Sequence, residues 1–178
     1  MKRDIGIRFA LAGVGAALSI IFITLSYFVK NLSLSFTVMA SVGVMLPLTK
    51  NYYKEGLLTC IASGVIGFFI ANINVIPFVL ASSFYVVFTI FWHNSNFNKI
   101  MGILIKILYS FLVFFVLYKV ASLIIIDFDR LSKLNALNPA VLYILFNIVL
   151  TLAFVVYDFL IIQTYQYIKS LLGKVSKK

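Results

Sequence analysis

The sequence predicts an all-α integral membrane protein: a bundle of six transmembrane helices with both termini in the cytoplasm. Three observations carry this. Apolar stretches repeatedly approach or exceed the roughly 20 residues that cross a hydrocarbon core. Only 11% of the 178 residues are charged, and the mean hydropathy is +1.09, far from the quarter-charged composition of a water-soluble domain. The basic residues are grouped in short clusters between the apolar runs, which is how orientation in a membrane is encoded.

Polar punctuation sets the elements in order. The first span covers about 7–29 and ends at Lys30-Asn31. It is too long for the apolar core of a secretory signal and no A-x-A cleavage site closes it, so it reads as a retained helix. The second, about 32–49, ends in the loop Thr49-Lys50-Asn51-Tyr52-Tyr53-Lys54-Glu55-Gly56. The third, about 57–71, turns through Asn72-Ile73-Asn74 into the fourth, about 75–92, with Pro77 tolerated in its first turn. The fifth, about 99–126, and the sixth, about 140–168, flank Asp127-Phe128-Asp129-Arg130-Leu131-Ser132-Lys133. Asn138 is the expected N-cap of the sixth and Pro139 its first residue. The whole chain, 1–178, is expected to form one transmembrane domain.

With the N-terminus inside, ten basic residues (Lys2, Arg3, Arg8, Lys50, Lys54, Lys99, Lys169, Lys174, Lys177, Lys178) fall in cytoplasmic segments, against three (Lys30, Arg130, Lys133) outside. The net charge of +10 is therefore explained by membrane orientation, not by nucleic acid. Excess lysine over arginine, with plentiful Ile, Phe, Tyr and Asn, is in keeping with an AT-rich bacterial genome, and a bacterial cytoplasmic membrane is the expected location.

Seven of the nine glycines lie at or before position 67, so the early helices are built for close contact. The first helix carries the small residues Ala10, Ala12, Gly13, Gly15, Ala16 and Ala17, with Ala12-x-x-x-Ala16 and Gly13-x-x-x-Ala17 in register; the third has Ser63-x-x-x-Gly67-x-x-x-Ala71. Such strips serve either a partner helix or packing inside the bundle.

Charged side chains inside the spans cost about 2.5–3.5 kcal/mol each at a helix centre on insertion scales. Lys106 and Asp158 fall about 10 Å and 6 Å to the cytoplasmic side of their helix midpoints, which makes an ion pair geometrically reasonable; snorkelling of Lys106 is the alternative. Lys119 lies about 9 Å to the outer side of its midpoint, level with Asn147. Those two either face a ligand carboxylate or phosphate, or Lys119 reaches outward to the headgroups. Ser82, Ser83 and Tyr85 add polar groups in the fourth helix, and Asn31 and Asn74 sit in the outer turns; Ser83, Tyr85, Asn31 and Asn74 join Lys119 and Asn147 as candidate substrate contacts.

The sequence excludes as much as it offers. His93 is the single histidine and Cys60 the single cysteine, so no zinc site, triad or disulfide framework is available. One intramembrane carboxylate provides no acid/base pair, and no glycine-rich phosphate loop is present. Neither catalysis nor a cofactor is expected, and active transport would need a partner for energy.

Six hydrophobic helices in about 180 residues, both ends inside, and Ala12-x-x-x-Ala16 in the first helix resemble the substrate-binding S component of energy-coupling factor (ECF) transporters. The resemblance covers the layout of the whole chain and a motif in the first helix only. It implies that the early small-residue face, with Ala12, Ala16 and Gly13, docks on a transmembrane T component joined to two ATPase subunits. It implies, too, that a vitamin or similar small molecule is held near the outer side by the later helices. The turn at Lys30-Asn31 is short beside the substrate-capping loop of that family, and no ligand motif matches. A non-transporting membrane assembly or scaffold protein is the alternative.

The topology is tested by cysteine labelling in a Cys60→Ala background. Cysteines placed in the 127–138 loop should react with an impermeant reagent from outside, and Lys174→Cys only from inside; the reverse pattern contradicts the map.

Overall fold

A computed structural model describes residues 2–95, 98–124 and 139–175, and every extended element among them is helical. We number the helices α1 (Lys2–Phe28), α2 (Ser33–Leu48), α3 (Tyr53–Ala71), α4 (Tyr85–Asn94), α5 (Lys99–Ile124) and α6 (Pro139–Val175). One-turn 3-10 segments at Lys30–Leu32 and Asn72–Val75 close the turns after α1 and α3. Five stretches, Ile5–Phe28, Lys30–Leu48, Tyr53–Val75, Ile100–Leu117 and Tyr143–Lys174, are long and apolar enough to cross a membrane; Phe78–Asn94 is a shorter apolar helix. The helix ends fall within a few residues of those expected, except that α1 begins five residues earlier, α3 four earlier, α4 ten later, at Tyr85, and α6 runs seven residues further. Asn138 and the 127–133 loop lie outside the described residues.

The fourth span departs from a plain α-helix. Phe78–Phe84 forms a π-helical segment ahead of α4. Within it the consecutive residues Ser82 and Ser83 are both buried, at 3% and 0% exposure. Nothing in the hydropathy pattern announces this.

Contacts divide the chain into two compact units, one holding residues 1–96 and 160–178 and the other 97–159. In the first, α1 lies antiparallel to α2 and parallel to α3. Its inward face is Ala12, Gly15, Ser19 and Ile23, at the three- and four-residue spacing of one helix face. At Gly15 and Gly43 the two backbones touch. A Cβ on Gly15 would overlap the Gly43 carbonyl oxygen, and one on Gly43 would overlap the Gly15 carbonyl oxygen and Ser19 Oγ. Ser19 Oγ donates to Ala40 O at 2.7 Å, and Thr59 Oγ1 on α3 donates to Ala12 O at 3.3 Å. Gly67 takes Ile23 from α1 and Val75 from the following turn, so Ser63, Gly67 and Ala71 form the inward face of α3. Val44, Leu48, Phe78, Tyr85, Val86 and Ile90 complete the core.

In the second unit α5 and α6 present apolar side chains outward, Leu104, Leu108, Leu112, Val149, Leu152 and Val155 among them, all more than half exposed. Such a surface suits lipid and would be a liability in water.

Gly43→Ala should lower thermal stability in detergent by about 1–3 kcal/mol, because backbone, not a flexible side-chain tip, must move. Gly13→Ala, where a Cβ would meet nothing within 4 Å, should be neutral or gain up to about 1 kcal/mol from helix propensity. Equal effects at the two positions would contradict the α1–α2 crossing.

Candidate functional site

Polar side chains line the α5–α6 seam of the second unit at helical intervals. Lys106 Nζ donates to both carboxylate oxygens of Asp158, at 2.6 and 2.8 Å. Both side chains are about one-fifth exposed, 19% and 23%. Pairing offsets the insertion cost of two charges that neither would bear alone in lipid. One turn further along α5, Ser110 Oγ lies 3.3 Å from Thr151 Oγ1. Each hydroxyl also donates within its own helix, Ser110 to Ile107 O at 2.8 Å and Thr151 to Asn147 O at 2.9 Å.

The row ends on Asn147, one turn before Thr151. It is 3% exposed, and neither its Nδ2 nor its Oδ1 has a hydrogen-bond partner among the described residues. Leaving a buried amide unsatisfied costs on the order of 1–3 kcal/mol, so such a group calls for a reason beyond packing. Elsewhere on the same two helices Val113 is fully buried, and Phe114 and Tyr143 meet with ring centroids 5.0 Å apart. Chemically the amide offers a donor and an acceptor side by side, the complement of a carboxamide or a ring edge of the same kind.

The remaining expected contacts go elsewhere. Lys119 is exposed, its Nζ 5.8 Å from the Phe115 ring centroid, and no hydrogen bond joins it to the Asn147 side chain. Ser83 and Tyr85 belong to the core of the first unit, at 0% and 1% exposure. Ser83 Oγ donates to Val79 O at 3.0 Å and lies 2.9 Å from Cys60 Sγ, so its hydrogen-bonding capacity is used internally. Asn31 and Asn74 are exposed in the two 3-10 turns at one end of that unit. Cys60, level with Ser83, is eleven residues down α3 from Ala71, about 16 Å at the helical rise. Ser83, Asn31 and Asn74 are therefore not grouped at one site.

The docking residues need the same correction. Ala12 is 5% exposed and its carbonyl accepts from Thr59, so it packs inside the unit because α3 runs against that face. Ala16 is half-buried, while Gly13 is on the outward face. Ser110 and Thr151 were not singled out from the sequence, although their spacing from Lys106, Asn147 and Asp158 (four, four and seven residues) places them on the same faces.

No protein-family model, no curated protein and no solved structure matches the chain. The structural class is thus defined by the fold itself: an all-helical protein with several helices of membrane-spanning length, compatible with a multi-pass membrane protein.

Asp158→Asn should cost about 3 kcal/mol of stability, the low end for a pair that retains some exposure, by leaving an ammonium without its partner. Adding Lys106→Met should recover at least about 1 kcal/mol of that loss in a double-mutant cycle. Additive losses would contradict a direct pair.

Proposed function

We propose that the chain is the substrate-binding membrane subunit of an ECF-type uptake transporter, carrying a vitamin or similar small molecule across a bacterial cytoplasmic membrane. The observation that carries this reading is the buried, unpartnered Asn147 amide at the end of the α5–α6 polar row. In a membrane helix a buried polar group of this kind is a default candidate for contact with a polar solute. The ion pair and the hydroxyl pair beside it keep the row together without drawing on the amide.

Energy in this reading comes from a separate T component and ATPase subunits, since the chain has no phosphate-binding loop of its own. Docking is reassigned to the outward side of α1. Gly6, Ala10, Gly13 and Ala17 are all exposed and follow one another at four-, three- and four-residue steps, and added Cβ atoms at Gly6 and Gly13 meet nothing within 4 Å. A stripe of this kind lets a neighbouring helix approach closely, as association in lipid requires. The three-residue turn Lys30–Leu32 favours a second reading, a non-transporting assembly or scaffold protein, because it is short for a loop that caps a bound solute.

Asn147→Leu separates the two readings. Protein purified from its native-type host should retain a small molecule, detected by mass spectrometry, and Asn147→Leu should lose it with thermal stability unchanged or raised. Retention by the variant, or destabilisation without loss of ligand, would overturn the assignment of the amide. Absence of any retained solute from the unsubstituted protein would support the scaffold reading.

A further inference from the structure

A second polar feature belongs to the first unit and lies at the end opposite the Asn31 and Asn74 turns. A half-open cavity of about 370 Å³ is lined by Thr49, Lys50, Asn51, Lys169, Leu172 and Gly173. Two lysines from positions 119 residues apart thus line one space, and no carboxylate residue lines it among the described residues. The nearest acid in this part of the chain, Glu55, is 3.9 Å from Arg8 and engaged there.

Lysines beside helix C-termini commonly serve the carbonyls and the negative end of the dipole. Here that role is already filled. Met45 O accepts from Thr49 N, Leu46 O from Thr49 Oγ1, Pro47 O from Lys50 N and Tyr52 N, and Leu48 O from Asn51 N and Tyr165 Oη. All four terminal carbonyls of α2 have donors without either ammonium. Helix-end charges of about −0.5 each from α2 and α6 are also outweighed by two full positive charges.

The groups are held in place. Lys169 Nζ sits 5.5 Å from the Tyr165 ring centroid, and Tyr165, 2% exposed, is fixed by Asn94 Nδ2 at 3.0 Å and by Leu48 O at 3.4 Å. Asn94 Nδ2 also reaches Asn51 Oδ1 at 3.4 Å. Asn51 itself adopts a left-handed backbone, φ 60°, which turns the chain sharply between Lys50 and α3. Leu172 supplies an apolar wall, and at Gly173 the mouth is open, since a Cβ there would meet nothing within 4 Å.

We propose that this cavity binds a phosphate-bearing anion, with Lys50 and Lys169 as its cationic ligands. Its position favours the headgroup of an acidic phospholipid. Lys50 follows directly on one span-length apolar helix and Lys169 lies in the last turns of another, which sets both at headgroup depth. This inference rests on the membrane assignment but not on transport, and it involves no residue of the α5–α6 row.

The test uses the full chain in neutral detergent with four probes: phosphatidylglycerol, phosphatidylcholine, glycerol 3-phosphate and inorganic phosphate. Bound lipid per protein is read by native mass spectrometry. The unsubstituted protein should prefer phosphatidylglycerol to phosphatidylcholine, and Lys50→Gln/Lys169→Gln should lose about thirtyfold in that affinity, the attraction two lysines exert near an anionic headgroup. Lys50→Arg/Lys169→Arg should keep the preference. A charge-matched control, Lys30→Gln/Lys54→Gln, should leave it intact. Phosphatidylglycerol binding that neither soluble phosphate displaces identifies the lipid as the source, and displacement by either, with the same lysine dependence, identifies a free phosphate compound. Equal loss in the control variant, or no preference in the unsubstituted protein, would overturn the site.

Discussion

Contact between the backbones of α1 and α2 at Gly15 and Gly43 is the constraint on which the first unit depends. In lipid, helices gain little by hiding apolar side chains from each other, so association relies on close approach and on hydrogen bonds that approach makes possible. With no Cβ on either residue, the two chains meet carbonyl against Cα. That proximity lets Ser19 reach the Ala40 carbonyl and sets α1 so that Thr59 reaches Ala12. Pro47, one turn beyond, has no N–H to give the Gly43 carbonyl, which faces α1 instead of a full helical partner. Ile23 then falls into the gap left by Gly67, and the three helices close over the Val44 and Leu48 side chains.

Much of this architecture is legible in the sequence, for definite reasons. Helix number and most helix ends follow from hydropathy and from the short polar turns, although five helices and not six reach membrane-spanning length. The Lys106–Asp158 pair follows from depth alone, because two charges in antiparallel neighbouring helices at similar depth have few other partners. Which stripe of α1 faces inward is not legible. Small residues occur at 10, 12, 13, 15, 16 and 17, nearly all round the helix, so periodicity gives two answers and only the position of α2 and α3 chooses between them. Gly43 is a lone glycine in its span, and its importance appears only when the register with Gly15 is known. The π-helical segment likewise defeats a simple helical wheel, and Ser82 and Ser83 are both buried within it. Hydropathy places Asn147 within a span but says nothing of whether its amide is satisfied.

The two units treat buried polar groups differently. Ser19, Ser41, Thr49, Thr59, Ser63 and Ser83 are buried in the first, and each hydroxyl has a partner, mostly a carbonyl of its own or a neighbouring helix. These bonds stiffen helix contacts. Along α5 and α6 the charges and hydroxyls are paired too, but the series finishes on an amide with neither donor nor acceptor engaged. The hydroxyls of the first unit are thus spent on helix contacts, while the α5–α6 row of the second ends on a buried amide whose side chain has no hydrogen bond among the described residues.

The most direct measurement is reactivity of introduced cysteines toward a small hydrophilic thiol reagent, in intact membranes and a Cys60→Ala background. If the polar row is where a solute enters, Asn147→Cys should be modified, and Ser63→Cys, equally buried but within the first unit, should resist. Modification at neither position, or at both at similar rates, would contradict the distinction between the two units.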